Sequence, residues 1–391
     1  MFRKMFIVLI ISSFLLTSKF TLMAEEAEIT SHSASSILME VDTGTILHEE
    51  EAHKKLPPAS MTKLMTLLLI MEELDQGKLK LDETIRVSEY AASMGGSQIF
   101  LEPNEEMSVE DLLKSIAIAS ANDSSVALAE RIAVTEEAFV SRMNERAKEL
   151  GLQNTTFKNS TGLPDEGHVS SAYDLAKIAH ELLKHEEITD YTQIYEDYLR
   201  KGTEEEFWLV NTNKLVKFYP GVDGLKTGYT SEAKYGLTAT AKRNDMRVIA
   251  VAMGAETVKD RNEDITNMLD YAFSHYELHR IHEKNAPLHT WSHLKAKQDE
   301  LTLVSEQPIS ILLSKGESLD EYETIVETEN LDQWPIKQGD QLGKLKIKSK
   351  DTTMKEIPLF VKEDVEEASI FQLINRTGKY LHQGYKTSNT H

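Results

Sequence analysis

Leu56-Pro57-Pro58-Ala59-Ser60-Met61-Thr62-Lys63 decides how the rest of this chain is read. Two prolines fix the backbone just ahead of the serine, and Met61 to Leu74 then reads as a helix stopped by Gly77. Ser60 therefore stands at a helix N-terminus, and Lys63, one turn on, shares its face. The helix is apolar nearly all round (Leu64, Met65, Leu67, Leu68, Leu69, Ile70, Met71), the pattern of a helix buried inside a domain. Lys63 is then poorly hydrated. Holding a lysine of reference pKa ~10.4 neutral at pH 7 costs roughly 4.6 kcal/mol in water. Burial shifts such groups by up to about 3–5 units, enough to make Lys63 a base for the serine proton.

Ser-x-x-Lys is a cheap pattern, present also at Ser231 to Lys234 and Ser292 to Lys295, and a serine at a helix start is by itself an N-cap. Only the copy at Ser60 combines a rigid approach, a buried helix and matching partners further along.

Upstream, the stretch from Ser35 to His48 alternates (Ile37, Met39 and Val41, then Thr45 to Leu47) around Asp42-Thr43-Gly44, which predicts a β-hairpin leading into the Ser60 helix. Before it, Arg3 and Lys4 precede an apolar run from Met5 to Leu16, too short to span a bilayer, and then a polar stretch to Ala24. These features predict an export signal over residues 1–24, with the mature protein working outside the cytoplasm. Absence of cysteine excludes disulfides, a thiol nucleophile and thiolate metal sites. The formal charge of −21 argues against nucleic acid as a partner and against simple electrostatic attachment to an anionic membrane. A length of 391 residues with 40% hydrophobic residues suits two globular domains.

Downstream, residues 81–106 read as a glycine-punctuated surface loop with short strands. Ser108 begins a helix, with Asp111 placed for a capping box. That helix runs into Ala119-Ser120-Ala121-Asn122-Asp123, after which Ser124 to Ala133 is again helical, so Ser120 and Asn122 are expected exposed on a loop between two helices. Asn159 to Pro164 is a loop, and His168 is read as a packing or capping residue. Lys226-Thr227-Gly228-Tyr229 lies in a strand followed by antiparallel neighbours at Tyr235 to Ala241 and Met246 to Met253. Gly228 lets another backbone, or that of a substrate, approach the strand, and an exposed edge there would accept a peptide as an added strand.

Ser60-x-x-Lys63, Ser120-x-Asn122 and Lys226-Thr227-Gly228, in this order, resemble the three-part signature of penicillin-binding proteins and class A β-lactamases. From Ser35 to Tyr276 the chain is similar to low-molecular-mass penicillin-binding proteins, the serine D-alanyl-D-alanine carboxypeptidases of peptidase family S11, and looks most like their sporulation-type members. The resemblance implies an α+β fold: a transpeptidase-like domain over residues 25–282, with an antiparallel sheet flanked by helices plus a helical subdomain, and then a small all-β domain over 283–365. It also implies an exported enzyme at the membrane or cell wall that removes the terminal D-alanine of peptidoglycan stem peptides and is acylated by β-lactams.

In that reading Ser60 is the nucleophile and Lys63 its base, with the backbone N–H groups of Ser60 and Tyr229 forming the oxyanion hole. Ser120 relays a proton, Lys226 keeps the network positive, and Asn122 binds a substrate amide. Thr227 and Arg261 hold the terminal carboxylate beside Gly228, the other reading of Arg261 being a surface salt bridge. No metal or other cofactor is called for. Two alternatives remain: a class A-like β-lactamase, for which Glu166 is the nearest candidate base but lacks the neighbouring asparagine, and a silent penicillin- or wall-binding protein.

A helix over Asp260 to Lys284 would carry His275, His279 and His282 on one face, more simply a helix joining two domains than a metal site. Leu301 to Val304, Ile309 to Leu313, Tyr322 to Val326 and Leu345 to Ile347 make up the β-rich domain. The tail, residues 366–391, carries Ile370, Phe371, Leu373 and Ile374, a short amphipathic face that would either touch a membrane or close the β domain.

Overall fold

The computed structural model describes residues 29–298, 300–329, 334–350 and 352–377. The expected export signal and the last residues of the tail lie outside the described residues.

A five-stranded antiparallel sheet runs in the order Ile46–Glu50, Ser35–Glu40, Met246–Ala255, Lys234–Arg243, Val222–Thr230. The predicted hairpin is its first pair, and the strand carrying Lys226 is its far edge. Strand Ser35–Glu40 is buried at every position because both faces of the sheet are covered. Ile37, Met39, Ile249 and Val251 face one core, shared with the helices, while Leu38, Val248, Ala250 and Leu237 face a second core built with the helix Val258–His275.

The serine helix, Lys63–Asp75, lies inside the first core and touches helices Val109–Ala119, Asn122–Ala133, Glu136–Glu149 and Ala172–Leu182. Its all-round apolar surface is explained by neighbours on every side. Its start differs from the predicted one: Ala59–Thr62 forms a 3-10 turn, so Ser60 precedes the first α-helical residue, Lys63. Its end is as read. Gly77 adopts φ +66°, and the Gly77 and Lys78 N–H groups return to the carbonyls of Leu74 and Glu73.

The helix expected from Asp260 to Lys284 stops at His275. Tyr276–His282 is instead a strand paired antiparallel with Ile309–Ser314, so the three histidines share no helix face, and this segment belongs by pairing with the β-rich part. Beside that ladder stands a second five-stranded antiparallel sheet, in the order His289–Ser292, Glu300–Val304, Thr352–Val361, Gln341–Ser349, Tyr322–Thr328, over a core that includes Leu301, Leu303, Ile311, Leu345 and Leu359. The two parts meet at the tip of the first hairpin. Asp42 accepts from Arg280 at 3.2 Å and from the Ser310 hydroxyl at 3.0 Å, and Lys355 donates to the Thr43 carbonyl at 3.0 Å.

Candidate active site

The serine turn is wedged between the edge strand and the loop after Asn159. Ala59 is forced to φ +48°, a conformation unfavourable for a residue with a Cβ. Two glycines give it room. A Cβ on Gly162 would stand 1.9 Å from the Ala59 carbonyl oxygen, and one on Gly228 would stand 2.7 Å from the Pro58 carbonyl oxygen. The backbone that Gly228 admits is thus that of the serine turn itself. Gly236, opposite Gly228 in the ladder, is similarly filled by Met61, whose Cε would lie 2.5 Å from an added Cβ.

Lys63 is fully buried, and its ammonium donates to three acceptors: Ser60 Oγ at 3.2 Å, Asn122 Oδ1 at 2.6 Å and the Thr161 carbonyl at 2.7 Å. Burial drives its pKa well below the usual lysine range, and the nearby charge of Lys226 drives it the same way, with Asp123 opposing. A lysine so placed gives up its proton readily and can take one from the serine 3.2 Å away.

Ser120 ends the helix Val109–Ala119 in the left-handed conformation, φ +64°, and Asn122 opens the helix Asn122–Ala133. Both side chains are buried rather than exposed, because the two helices pack on each other and on the serine helix. The Ser120 hydroxyl has no hydrogen-bond partner among the described residues. A buried orphan hydroxyl is costly in a finished core and is suited to a group that takes part in a reaction. Asn122 donates through Nδ2 to the Gly95 carbonyl at 2.7 Å, which leaves one N–H of its amide for a ligand.

Lys226 is also fully buried, in the edge strand, and burial brings its pKa down to about 7. Its contact within the protein is long, 3.4 Å to the Thr227 carbonyl. Thr227 donates to the Thr212 hydroxyl at 2.8 Å, and Tyr229 is exposed and stacked on Tyr235 with ring centroids 4.3 Å apart. Arg261 forms no surface salt bridge. It is buried, donates from Nε and Nη2 to Asn262 Oδ1, and is lowered to about 10 by desolvation. Among the described residues it has no carboxylate partner. A buried cation without a counterion is costly to hold.

His168 packs as expected. Its Nδ1 accepts from the Lys158 N–H at 3.3 Å, so Nε2 carries the proton and donates to Thr62 Oγ1 at 2.8 Å. Burial lowers its pKa to about 4. Glu166 is exposed and makes no hydrogen bond or ion pair among the described residues. It lines a cavity of about 390 Å³ that also includes Pro57, Pro58, Ala59, Thr230 and Glu232. No group of three or more His, Cys, Asp or Glu among the described residues is placed to hold a metal ion.

Sequence reasoning missed two parts of this site. The Thr161 carbonyl is a backbone atom with no residue-type signal. Asp123 is buried beside Asn122 and accepts from the N–H groups of Ile99, Leu101 and Ser124, holding the loop along the cleft; it reads in sequence as an ordinary first-turn acid.

A serine hydrogen-bonded to a buried lysine, a second buried lysine on an adjoining sheet edge and a helical subdomain packed beside the serine helix are the arrangement of a serine acyl-transfer enzyme. Residues 21–257 match the D-alanyl-D-alanine carboxypeptidase family and residues 276–367 match the C-terminal domain of penicillin-binding protein 5. The chain belongs to this peptidase S11 family, and its activity is that of a serine D-alanyl-D-alanine carboxypeptidase. It is 53% identical to the D-alanyl-D-alanine carboxypeptidase DacF of Bacillus subtilis over 90% of each chain. It is 33% identical to DacC of Escherichia coli over 86% of this chain and 84% of that protein. Among solved structures, penicillin-binding protein 5 of Haemophilus influenzae matches with a TM-score of 0.71 at 29% identity, over 86% of this chain and 98% of that one. Penicillin-binding protein D2 of Listeria monocytogenes in its ampicillin-bound form matches with a TM-score of 0.53 at 32% identity, over 62% of this chain and 97% of that one.

Proposed function

We propose that Ser60 attacks the carbonyl joining the two terminal D-alanines of a peptidoglycan stem peptide, forming an acyl-enzyme that water then hydrolyses. Lys63 takes the serine proton. The orphan hydroxyl of Ser120 relays that proton from Lys63 to the leaving amine, so that Lys63 ends neutral and Ser120 keeps its hydroxyl, and the N–H groups of Ser60 and Tyr229 receive the oxyanion. The peptide lies along the edge strand Val222–Thr230, with the free N–H of Asn122 on a substrate amide. Lys226, Thr227 and Arg261 meet the terminal carboxylate, the feature that selects a chain end. β-Lactams acylate the same serine.

The observation that carries this reading is Lys63, wholly buried at 3.2 Å from Ser60 Oγ with Lys226 as its cationic neighbour. The experiment is intact-mass analysis of the purified chain with penicillin, paired with D-alanine release from a D-Ala-D-Ala peptide and a Ser60→Ala control. One adduct at Ser60 with steady D-alanine release is expected. Rapid penicillin turnover without release would make it a β-lactamase, an adduct with neither turnover would make it a silent binder, and no adduct would overturn the role of Ser60.

Export across the membrane, with work at its outer face or in the wall, is part of the same proposal and rests on residues 1–24. The sporulation role rests on the identity with DacF and is checked by the timing of expression. Residues 370–377 are helical, with Ile370, Phe371 and Ile374 exposed at 73%, 86% and 66%. That apolar face supports membrane contact by the tail, while Arg376 ties the same helix to the β domain through the Leu294 and Lys297 carbonyls.

A further inference from the structure

Two of the three acceptors around Lys63 are side-chain oxygens. The third, the Thr161 carbonyl, depends on how the loop that carries it is held. Asn159 holds the loop from inside, its Oδ1 accepting from the Gly162 N–H at 2.7 Å and the Thr161 N–H at 3.3 Å. From outside it is held by Glu136, at the start of the helix Glu136–Glu149 and only 7% exposed. Glu136 Oε1 accepts from both the N–H and the hydroxyl of Ser160, at 2.9 and 2.7 Å. Its Oε2 accepts from the Tyr90 hydroxyl at 2.7 Å. The Ser160 carbonyl takes the Thr66 hydroxyl at 2.7 Å, so every polar group of the residue before Thr161 is fixed.

We propose that Glu136 is a positioning residue for acyl transfer: its carboxylate fixes Ser160, and through it the Thr161 carbonyl that orients Lys63 toward Ser60. This rests on the assignment of Lys63 as the base. Glu136 touches neither reacting atoms nor substrate. Tyr90 extends the brace to the short helix Glu89–Ala92, and its hydroxyl, beside Glu136 with Glu137 and Glu130 near, is raised to about 12 and remains a donor throughout the working range. The ionisable groups facing Lys63 itself are Lys226 and Asp123, neither of them in this brace.

The test is the rate of Ser60 acylation by penicillin from pH 5 to 9 in the full chain, for the wild type and for Glu136→Ala, Glu136→Gln and Ser160→Ala. Glu136→Ala is expected to slow acylation on the order of tenfold to a hundredfold, the scale of a small misplacement of a reacting group. The ascending limb assigned to Lys63 moves to lower pH, because an acceptor that favoured the charged ammonium is displaced. Glu136→Gln keeps an oxygen for both Ser160 donors and restores most of the rate.

Equal rates and an unmoved limb in a folded Glu136→Ala variant would overturn the proposal, as would a glutamine variant as slow as the alanine one. If Glu136→Ala does not fold, Ser160→Ala, which removes one of the two inner donors, decides it: a slower rate with a shifted limb supports the role and an unchanged profile overturns it. Absence of any adduct in the wild type overturns the assignment of Ser60 and this proposal together, whereas equal labelling rates in all variants overturn only the role of Glu136.

Discussion

Lys226 is a lysine at about 7 rather than near its ordinary value, and burial alone puts it there. It gives up its proton far more readily than an exposed lysine does. As pH rises through 7 the cation that meets an anionic ligand is lost, so kcat/KM for a D-Ala-D-Ala peptide is expected to fall on the alkaline side with a midpoint near that value. Bound carboxylate favours the charged form, so the same limb in kcat lies higher. Lys226→Arg, which stays charged, is expected to lack the limb whatever its residual rate; a limb that persists in that variant assigns it elsewhere. His168 gives the opposite kind of test, in stability. Its pKa in the fold, about 4, lies below the unfolded value near 6.5, so its contribution is complete above 6.5 and is lost as pH falls from there toward 4. The loss is on the order of 3 kcal/mol. Urea midpoints at pH 7 and pH 4.5 are expected to differ less in His168→Gln than in the wild type. At this scale the meeting of Ser60 and Lys63 was legible, because three residues of spacing fix which side chains of one turn can meet. The burial of Ser120, Asn122 and Arg261 was not, since it depends on packing between helices and strands far apart in sequence.

The elements around Ser60 fit by subtraction of side chains. Gly162→Ala would set a Cβ 1.9 Å from the Ala59 carbonyl, in a residue whose own φ of +85° disfavours alanine. It is expected to cost about 1–3 kcal/mol of stability and to lower the acylation rate, because the turn carrying Ser60 must shift. Gly77→Ala, also at positive φ but with open space around it, is the control: a smaller stability loss in thermal melts and an unchanged acylation rate. Equal effects of the two on acylation would show that the contact with Ala59 is immaterial. The hairpin, the serine helix and the three antiparallel strands after Gly221 were readable from period and turn residues. The strand Tyr276–His282 was read as helix because its partner, Ile309–Ser314, begins more than a full loop later, and local periodicity carries no trace of that pairing.

For the whole molecule the tail is the element with a choice of surfaces. Removing the residues after Glu367 is expected to shift the protein from the membrane to the soluble fraction while leaving penicillin acylation intact; an unchanged distribution would leave the helix with the β domain alone. The division into a catalytic part and a β-rich part was legible from composition and alternation. How the parts meet was not, because it depends on Leu278 and Leu312 packing on the second core and on single polar groups at the hairpin tip, none of which local periodicity marks.

That contact has a practical consequence for anyone exchanging modules between related enzymes. Asp42 sits in a hairpin turn of the catalytic part, yet two of its hydrogen-bond donors, Arg280 and Ser310, arrive from paired strands of the other. A chimera that keeps this β-rich module but imports a turn lacking the acid leaves the Ser310 hydroxyl without this acceptor and Arg280 with Glu283 alone, which weakens the polar half of the joint. Transplanting the turn together with the module preserves the joint.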